Sequence, residues 1–140
     1  MKGIILASHG KMADGLLDSL ELFNGQLSQV QALCLLPGEE ISLFIQRIQK
    51  AVSQVDTGDG VVIFCDLLFG SPCNCSSVFL KNDKMTNKVD IITGMNLPMV
   101  MEFLTSHERN MSSTEIMNAG REGIQDFVDI YRQSKMTKGK

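Results

Sequence analysis

Gly3-Ile4-Ile5-Leu6-Ala7-Ser8-His9-Gly10 opens on an apolar run that stops abruptly at a small polar residue, a histidine and a glycine. A run that is apolar at every position has no solvent-facing side, which is the pattern of a parallel strand buried on both faces. Helical spacing follows at once. After Met12, apolar residues recur at Leu16, Leu17, Leu20 and Phe23, and Asn24-Gly25 supplies a stop. A buried strand handing over directly to an amphipathic helix points to an α/β fold. It also leaves His9 at the carboxyl end of the first strand, facing the start of a helix.

The rest of the chain repeats this rhythm. Val30 to Leu36 reads as a second strand with a less buried start, ended by Pro37-Gly38. Ile41, Phe44, Ile45, Ile48, Ala51, Val52 and Val55 then form one continuous helical stripe. A turn cluster, Thr57-Gly58-Asp59-Gly60, precedes Val61-Val62-Ile63-Phe64-Cys65, an all-apolar and hence central strand that ends at Asp66. Ser71-Pro72 predicts an N-cap followed by proline at the first helical position, opening a helix to about Lys81. Asn82-Asp83-Lys84 reads as a turn, and Lys88 to Thr93 as a fourth strand. Pro98 opens a helix to about Ser106, and Ser112-x-x-Glu115 is a capping box before the helix bearing Ile116, Ala119, Gly120 and Ile124. Phe127 to Tyr131 fits either a continuation of that helix or a short strand. The alternation predicts an open, doubly wound, mostly parallel sheet with helices on both faces and right-handed crossovers.

Length and composition restrict the function. The 140 residues make one domain, taken as 1–134, followed by a disordered basic tail at 135–140. A hydrophobic share of 44% and a charged share of 21% are those of an ordinary globular protein, and a net charge of −3 with scattered basic residues gives no nucleic-acid partner. No apolar run is long enough to span a bilayer, and the strand-like start lacks a signal-peptide layout, so a cytoplasmic protein is expected. Cys34 and Cys65 sit in apolar runs as buried thiols. Cys73-Asn74-Cys75 has no second pair or nearby histidine to complete a zinc set, so no metal and no cofactor are expected.

Open α/β sheets place their sites outside the carboxyl ends of the strands. Here those ends carry His9, Leu36-Pro37-Gly38, Asp66 and Gly94-Met95-Asn96. If the first and third strands are neighbours, Asp66 meets His9. A carboxylate accepting one imidazole N–H fixes the tautomer and leaves the other nitrogen as a nucleophile. Gly70 and Ser71 at a helix start offer backbone N–H groups and a hydroxyl to an anion, and the helix after Gly10 offers a second terminus. A nucleophilic imidazole, an orienting carboxylate and an anion cradle, without an arginine cluster or a metal set, suit a phosphoryl group held on histidine and passed on. Each feature also has a plainer reading: a loop histidine on the surface, a structural aspartate, a simple N-cap. His9 is singled out by their convergence on one rim. His107, beside Glu108 and Arg109, reads as solvated surface.

Three blocks then carry a resemblance: Ile5-Leu6-Ala7-Ser8-His9-Gly10, Asp66-Leu67-Leu68-Phe69-Gly70-Ser71-Pro72-Cys73-Asn74, and Ile92-Thr93-Gly94-Met95-Asn96-Leu97-Pro98-Met99. In order and spacing they resemble the mannose-class IIA component of the bacterial phosphoenolpyruvate-dependent sugar phosphotransferase system. Pro37-Gly38-Glu39 and Gly120-Arg121-Glu122-Gly123 fit as well, so the likeness covers nearly the whole chain. It implies a flavodoxin-like fold and a homodimer that exchanges an antiparallel C-terminal strand, a role for Phe127 to Tyr131. It implies that His9 takes a phosphoryl group from HPr and gives it to the IIB component, which works with membrane components IIC and IID. Asp66 would hold the ring, and Gly10, Gly70, Ser71 and Asn96 would line the phosphate site. IIB would be a separate polypeptide, and any membrane association would run through IIB, IIC and IID.

The sequence departs from the family at one place. Members often read Asp-x-x-Gly-Gly-Ser-Pro, whereas the first of these glycines is here Phe69. Either φ stays negative there or the loop takes another path; Phe69 is also a candidate contact for HPr or IIB. The rival functions are a IIA-like phosphoryl donor to a dihydroxyacetone kinase and a non-catalytic regulatory module. A histidine phosphatase would need an arginine before the histidine, where this chain has Ser8.

Overall fold

The computed structural model describes residues 1–81 and 88–138. The elements run β1 (Gly3–His9), α1 (Met12–Asn24), β2 (Val30–Leu35), α2 (Ile41–Val55), β3 (Val61–Cys65), α3 (Ser71–Ser76), α4 (Val78–Lys81), β4 (Val89–Ile92), α5 (Leu97–Thr105), α6 (Ser113–Glu122) and α7 (Phe127–Lys138), with a 3₁₀ turn at His107–Arg109. The strands form one sheet in the order β2-β1-β3-β4, and every pairing among the described residues is parallel. The two continuously apolar strands are the central ones, as expected. Val30 to Leu35 lies at an edge, which explains its half-buried start.

Alternation along the strands divides the core into two layers. Ile4, Leu6, Val62 and Phe64 face α1, α5 and α6, where Leu20, Val100, Phe103 and Ile116 are buried. Phe64 and Phe103 meet edge to face at 5.9 Å. Ile5, Ala7, Ile63 and Cys65 face the other way, against Phe44, Ile48, Ala51, Val52 and Val55 of α2 and Cys75 of α3. The predicted α2 stripe therefore forms the inner face of that layer, except that Ile41 at its first turn is exposed.

Several expectations need correction. The helix from Ser71 is broken at Ser77, whose hydroxyl and N–H both turn back to the Asn74 carbonyl. Its N-cap is Gly70, with Ser71 and Pro72 as its first two residues. The turn expected at 82–84 lies outside the described residues. Phe127 to Tyr131 is not a strand but the first part of α7. Within a single chain, a strand there would leave its backbone donors and acceptors unpaired, whereas a helix closes them internally. That helix continues to Lys138, through most of the stretch expected as a disordered tail, and it is carried by good helix formers such as Arg132, Gln133, Lys135 and Met136.

Sequence reading missed Arg109, which is buried rather than solvated. Its guanidinium donates to the carbonyls of Lys2 at 3.1 Å and Ser28 at 3.2 Å, tying the 3₁₀ turn to the start of β1. Burial pushes its pKa down.

The capping box of α6 is fully formed: Ser112 Oγ accepts from Glu115 N–H at 3.2 Å, and Glu115 Oε1 accepts from Ser112 N–H at 3.1 Å. Ser112→Ala removes the hydroxyl from the first of these bonds. Urea unfolding should show a loss of about 1 kcal/mol, without a change in the slope of free energy against denaturant.

Candidate functional site

β1 and β3 are paired from Gly3–Val61 to Ala7–Cys65. Asp66 directly follows β3, His9 ends β1 two residues beyond that register, and the two meet there. One carboxylate oxygen, Asp66 Oδ2, accepts from the His9 backbone N–H at 2.8 Å and lies 2.8 Å from His9 Nδ1. The other oxygen accepts from Leu67 N–H at 2.8 Å. Burial alone would raise the carboxyl pKa, but the two contacts from His9 and the one from Leu67 outweigh it and hold Asp66 below its usual range. An ionised carboxylate can only accept hydrogen bonds. Nδ1 therefore donates to it, and in the neutral ring Nε2 is the nitrogen with the free lone pair.

Nε2 has no hydrogen-bond partner among the described residues, and the His9 side chain is 44% exposed. Beside it lies the first turn of α3. A Cβ built on Gly70 would lie 2.7 Å from His9 Cε1 and 3.4 Å from Nε2, so the imidazole rests against bare backbone. The Ser71 hydroxyl is not used as a cap and has no partner among the described residues. Gly70 sets the space, and Ser71 brings an unused hydroxyl.

Two glycines expected to bind phosphate have another role. Gly10 N–H donates to Leu35 O at 2.8 Å, and Gly70 N–H to Leu67 O at 3.2 Å, so neither is free for an anion. Gly10 instead supplies the positive φ of +60° that turns the chain from β1 into α1. Asn96 also departs from its expected place. Its Oδ1 accepts from Met99 N–H at 2.9 Å, and its Nδ2 donates to Gly120 O at 3.1 Å, so it caps α5 and ties it to α6. Both ends of this amide are engaged away from the imidazole.

The loop between Asp66 and Gly70 keeps a tight path despite Phe69, which adopts φ +64°. An aromatic residue in the left-handed region costs on the order of 1–3 kcal/mol and persists only where its surroundings hold it. Asn74 Nδ2 does so by donating to Phe69 O at 3.0 Å. The result is a run of exposed apolar side chains beside His9: Leu67, Leu68 and, at 77% exposure, Phe69.

Ser8 was noted in the sequence only for the arginine it replaces. Its buried hydroxyl donates to Gly10 O at 3.0 Å and accepts from Ala13 N–H at 2.8 Å, fixing the strand end to the start of α1. A small polar residue directly before the histidine was the available signal. Behind the site, burial pushes the Cys65 thiol up to about 12, so it stays protonated. Among the described residues no group of three or more His, Cys, Asp or Glu side chains is placed to hold a metal ion.

Two tests follow. Gly70→Ala has an acceptable backbone (φ −73°) but no room beside the ring. The ¹⁵N resonances of His9 should report a changed tautomer balance while the fold is retained. Asp66 has a lowered folded pKa, so its ionised form contributes stability at neutral pH that is lost as pH falls through that value, below about 4. Urea unfolding between pH 2 and about pH 6 should give a shallower acid limb for Asp66→Asn than for the wild type.

The family model for the PTS system fructose IIA component matches residues 3–120. The mannose-specific EIIAB component of Escherichia coli K12 is 29% identical over 125 residues, which are 86% of this chain but 38% of that protein. The chain thus spans well under half of that relative's length. Among solved structures, a PTS IIA protein associated with the fucose utilization operon of Streptococcus pneumoniae is 31% identical and superposes with a TM-score of 0.82 over 93% of this chain and 96% of the other. The phosphotransferase system component EIIA of Streptococcus agalactiae is 28% identical, with a TM-score of 0.81 over 92% of this chain and 99% of the other. The family model covers well over half of the chain, and the chain belongs to the PTS fructose IIA component (EIIA-man) family.

Proposed function

We propose that this chain carries a phosphoryl group on His9 Nε2, taking it from phospho-HPr and giving it to a IIB component for coupled sugar uptake and phosphorylation. Membership of the IIA family supports a phosphoryl-carrier role in the sugar phosphotransferase system. The observation that carries the residue assignment is the 2.8 Å contact from Asp66 to Nδ1, which leaves Nε2 exposed and nucleophilic.

The chemistry is an exchange between two imidazoles. The Nε2 lone pair attacks phosphorus, the N–P bond to the donor histidine breaks, and its electron pair returns to the donor ring. Nδ1–H stays on His9, and Asp66 stabilises the positive charge that the phosphorylated ring gains. The transition state is loose, so the protein contributes mainly position and electrostatics. Ser71 and the first-turn N–H groups of α3 receive the phosphoryl oxygens. In-line transfer needs both rings at one surface, and Leu67, Leu68 and Phe69 supply an apolar rim there for HPr and IIB. The chain works in the cytoplasm as a homodimer and meets IIC and IID only through IIB. Among the described residues no helix is long and apolar enough to cross a membrane.

Incubation with phosphoenolpyruvate, enzyme I and HPr should add one phosphate by intact mass, lost on acidification and absent in His9→Ala. Labelling that persists in His9→Ala overturns the assignment. A second outcome concerns Phe69. Phe69→Gly relieves the left-handed strain, so the fold should be as stable as wild type or more so. Its phosphotransfer from HPr should nevertheless slow by about tenfold, as loss of an exposed aromatic anchor predicts. An unchanged rate removes Phe69 from the docking rim.

A further inference from the structure

The guanidinium of Arg109 has no part in the site at His9. It sits in the 3₁₀ turn, where Glu108 (φ +55°) and Arg109 (φ +51°) are both left-handed. Two successive non-glycine residues in that region make a strained turn, which persists only where its surroundings hold it. The turn leaves the Glu108 side chain in solvent and puts Arg109 inside, at 4% exposure. There Nη1 donates to Lys2 O and Nη2 to Ser28 O. Both acceptors are neutral. Among the described residues no carboxylate lies within ion-pair distance of Arg109. Its Nε is also the one buried side-chain nitrogen or oxygen among them that has no hydrogen-bond partner.

A buried charge without a counter-charge and a buried donor without an acceptor are both costly. The fold thus keeps a cation whose counter-ion the described residues do not supply. There is room for one beside it. Arg109 lines a cavity of about 220 Å³ with Met1, Lys2, Asp59, Glu108 and Asn110. A water molecule's share of liquid volume is about 30 Å³, so the cavity can hold a phosphate ion or a carboxylate of a few carbons. Cationic groups outnumber anionic ones in its lining: Arg109, Lys2 and the Met1 amine face Asp59 and Glu108. Asp59 is already taken by the Met1 amine at 2.6 Å, and Glu108 lies out in solvent near His107. Lys2 precedes β1 and Asp59 precedes β3, so the cavity lies at the amino ends of these strands. The rise of a strand puts it about 20 Å from His9.

We infer that this cavity is a second binding site, separate from the one at His9, for a small oxyanion. Two oxygens of a carboxylate or a phosphate engage Nε–H and a neighbouring guanidinium N–H, the parallel pairing that arginine favours. Nε is covered in the unliganded chain, so the exposed residues Glu108 and Asn110 give way slightly as the anion enters. The Lys2 ammonium, otherwise 3.9 Å from Asp90, adds a second positive charge at the rim. The carbonyls of Lys2 and Ser28 hold the plane of the guanidinium in advance, which lowers the ordering cost of binding.

The test is read at Arg109 itself, by NMR of the ¹⁵N-labelled full chain. The Nε–H cross-peak is assigned by its loss in Arg109→Lys or, should that variant not fold, by through-bond correlation to the Arg109 backbone. Inorganic phosphate, acetate and chloride are titrated separately at matched ionic strength. The cross-peak should move saturably with phosphate or acetate and stay in place with chloride. The oxyanion that saturates it at lower concentration assigns the site to phosphates or to carboxylates. Phosphate is also expected at His9, so the titration is repeated in His9→Ala, where the movement at Arg109 should be unchanged. Lys2→Ala should weaken binding of the same anion by about tenfold, the loss of one charge-assisted hydrogen bond. No saturable movement with either oxyanion overturns the inference. So does a movement that chloride reproduces or that His9→Ala abolishes. None of these outcomes bears on the carrier role of His9, which the phosphorylation assay tests by itself.

Discussion

The side-by-side pairing of β1 and β3 is the constraint on which the site depends. His9 and Asp66 are far apart in sequence, and neither can be oriented by its own loop. Parallel strands bring the two carboxyl ends to one edge, and the register from Gly3–Val61 to Ala7–Cys65 sets their level. Asp66 then accepts from both the backbone and the ring of His9. The backbone bond fixes where the histidine leaves the strand, and the ring bond fixes which nitrogen is left without a partner among the described residues. One carboxylate oxygen thus couples fold to chemistry.

Small polar contacts keep that edge rigid. Ser8, fully buried, locks the strand end to α1 from inside the core. Gly70 lets α3 approach the imidazole, and Asn74 holds the carbonyl of Phe69. The strain at Phe69 is notable for its location. A glycine there would be free of it, yet the chain keeps an exposed aromatic side chain in the loop that leads from Asp66 to α3. Backbone strain retained at a surface site is understandable if the exposed side chain is used in recognition.

Polar groups were harder to assign from sequence than apolar ones. Gly10, Gly70 and Asn96 occupy the expected blocks, but their hydrogen-bonding groups are spent on Leu35, Leu67, Met99 and Gly120. Arg109 stands out in no sequence pattern and is buried with its guanidinium on two distant carbonyls. Which acceptor a donor meets is a matter of three-dimensional distance, and sequence spacing carries little of it. Phe127 to Tyr131 is ambiguous for a related reason: helix or strand there depends on what lies beside it.

The sequence alone determined the α/β class, the central places of β1 and β3, the α2 stripe and the α6 capping box. These follow from periodicity and local hydrogen bonding, which act over a few residues. It also marked His9, Asp66 and Ser71, because chemistry at strand ends is announced where an apolar run stops at a polar residue. Only the tertiary structure decided that Nε2 is the free nitrogen, that Gly70 gives the ring its space, that Phe69 is left-handed and exposed, and that α7 stands away from its own domain. Those outcomes depend on contacts between segments distant in the chain, where distance and angle decide which partner each group finds.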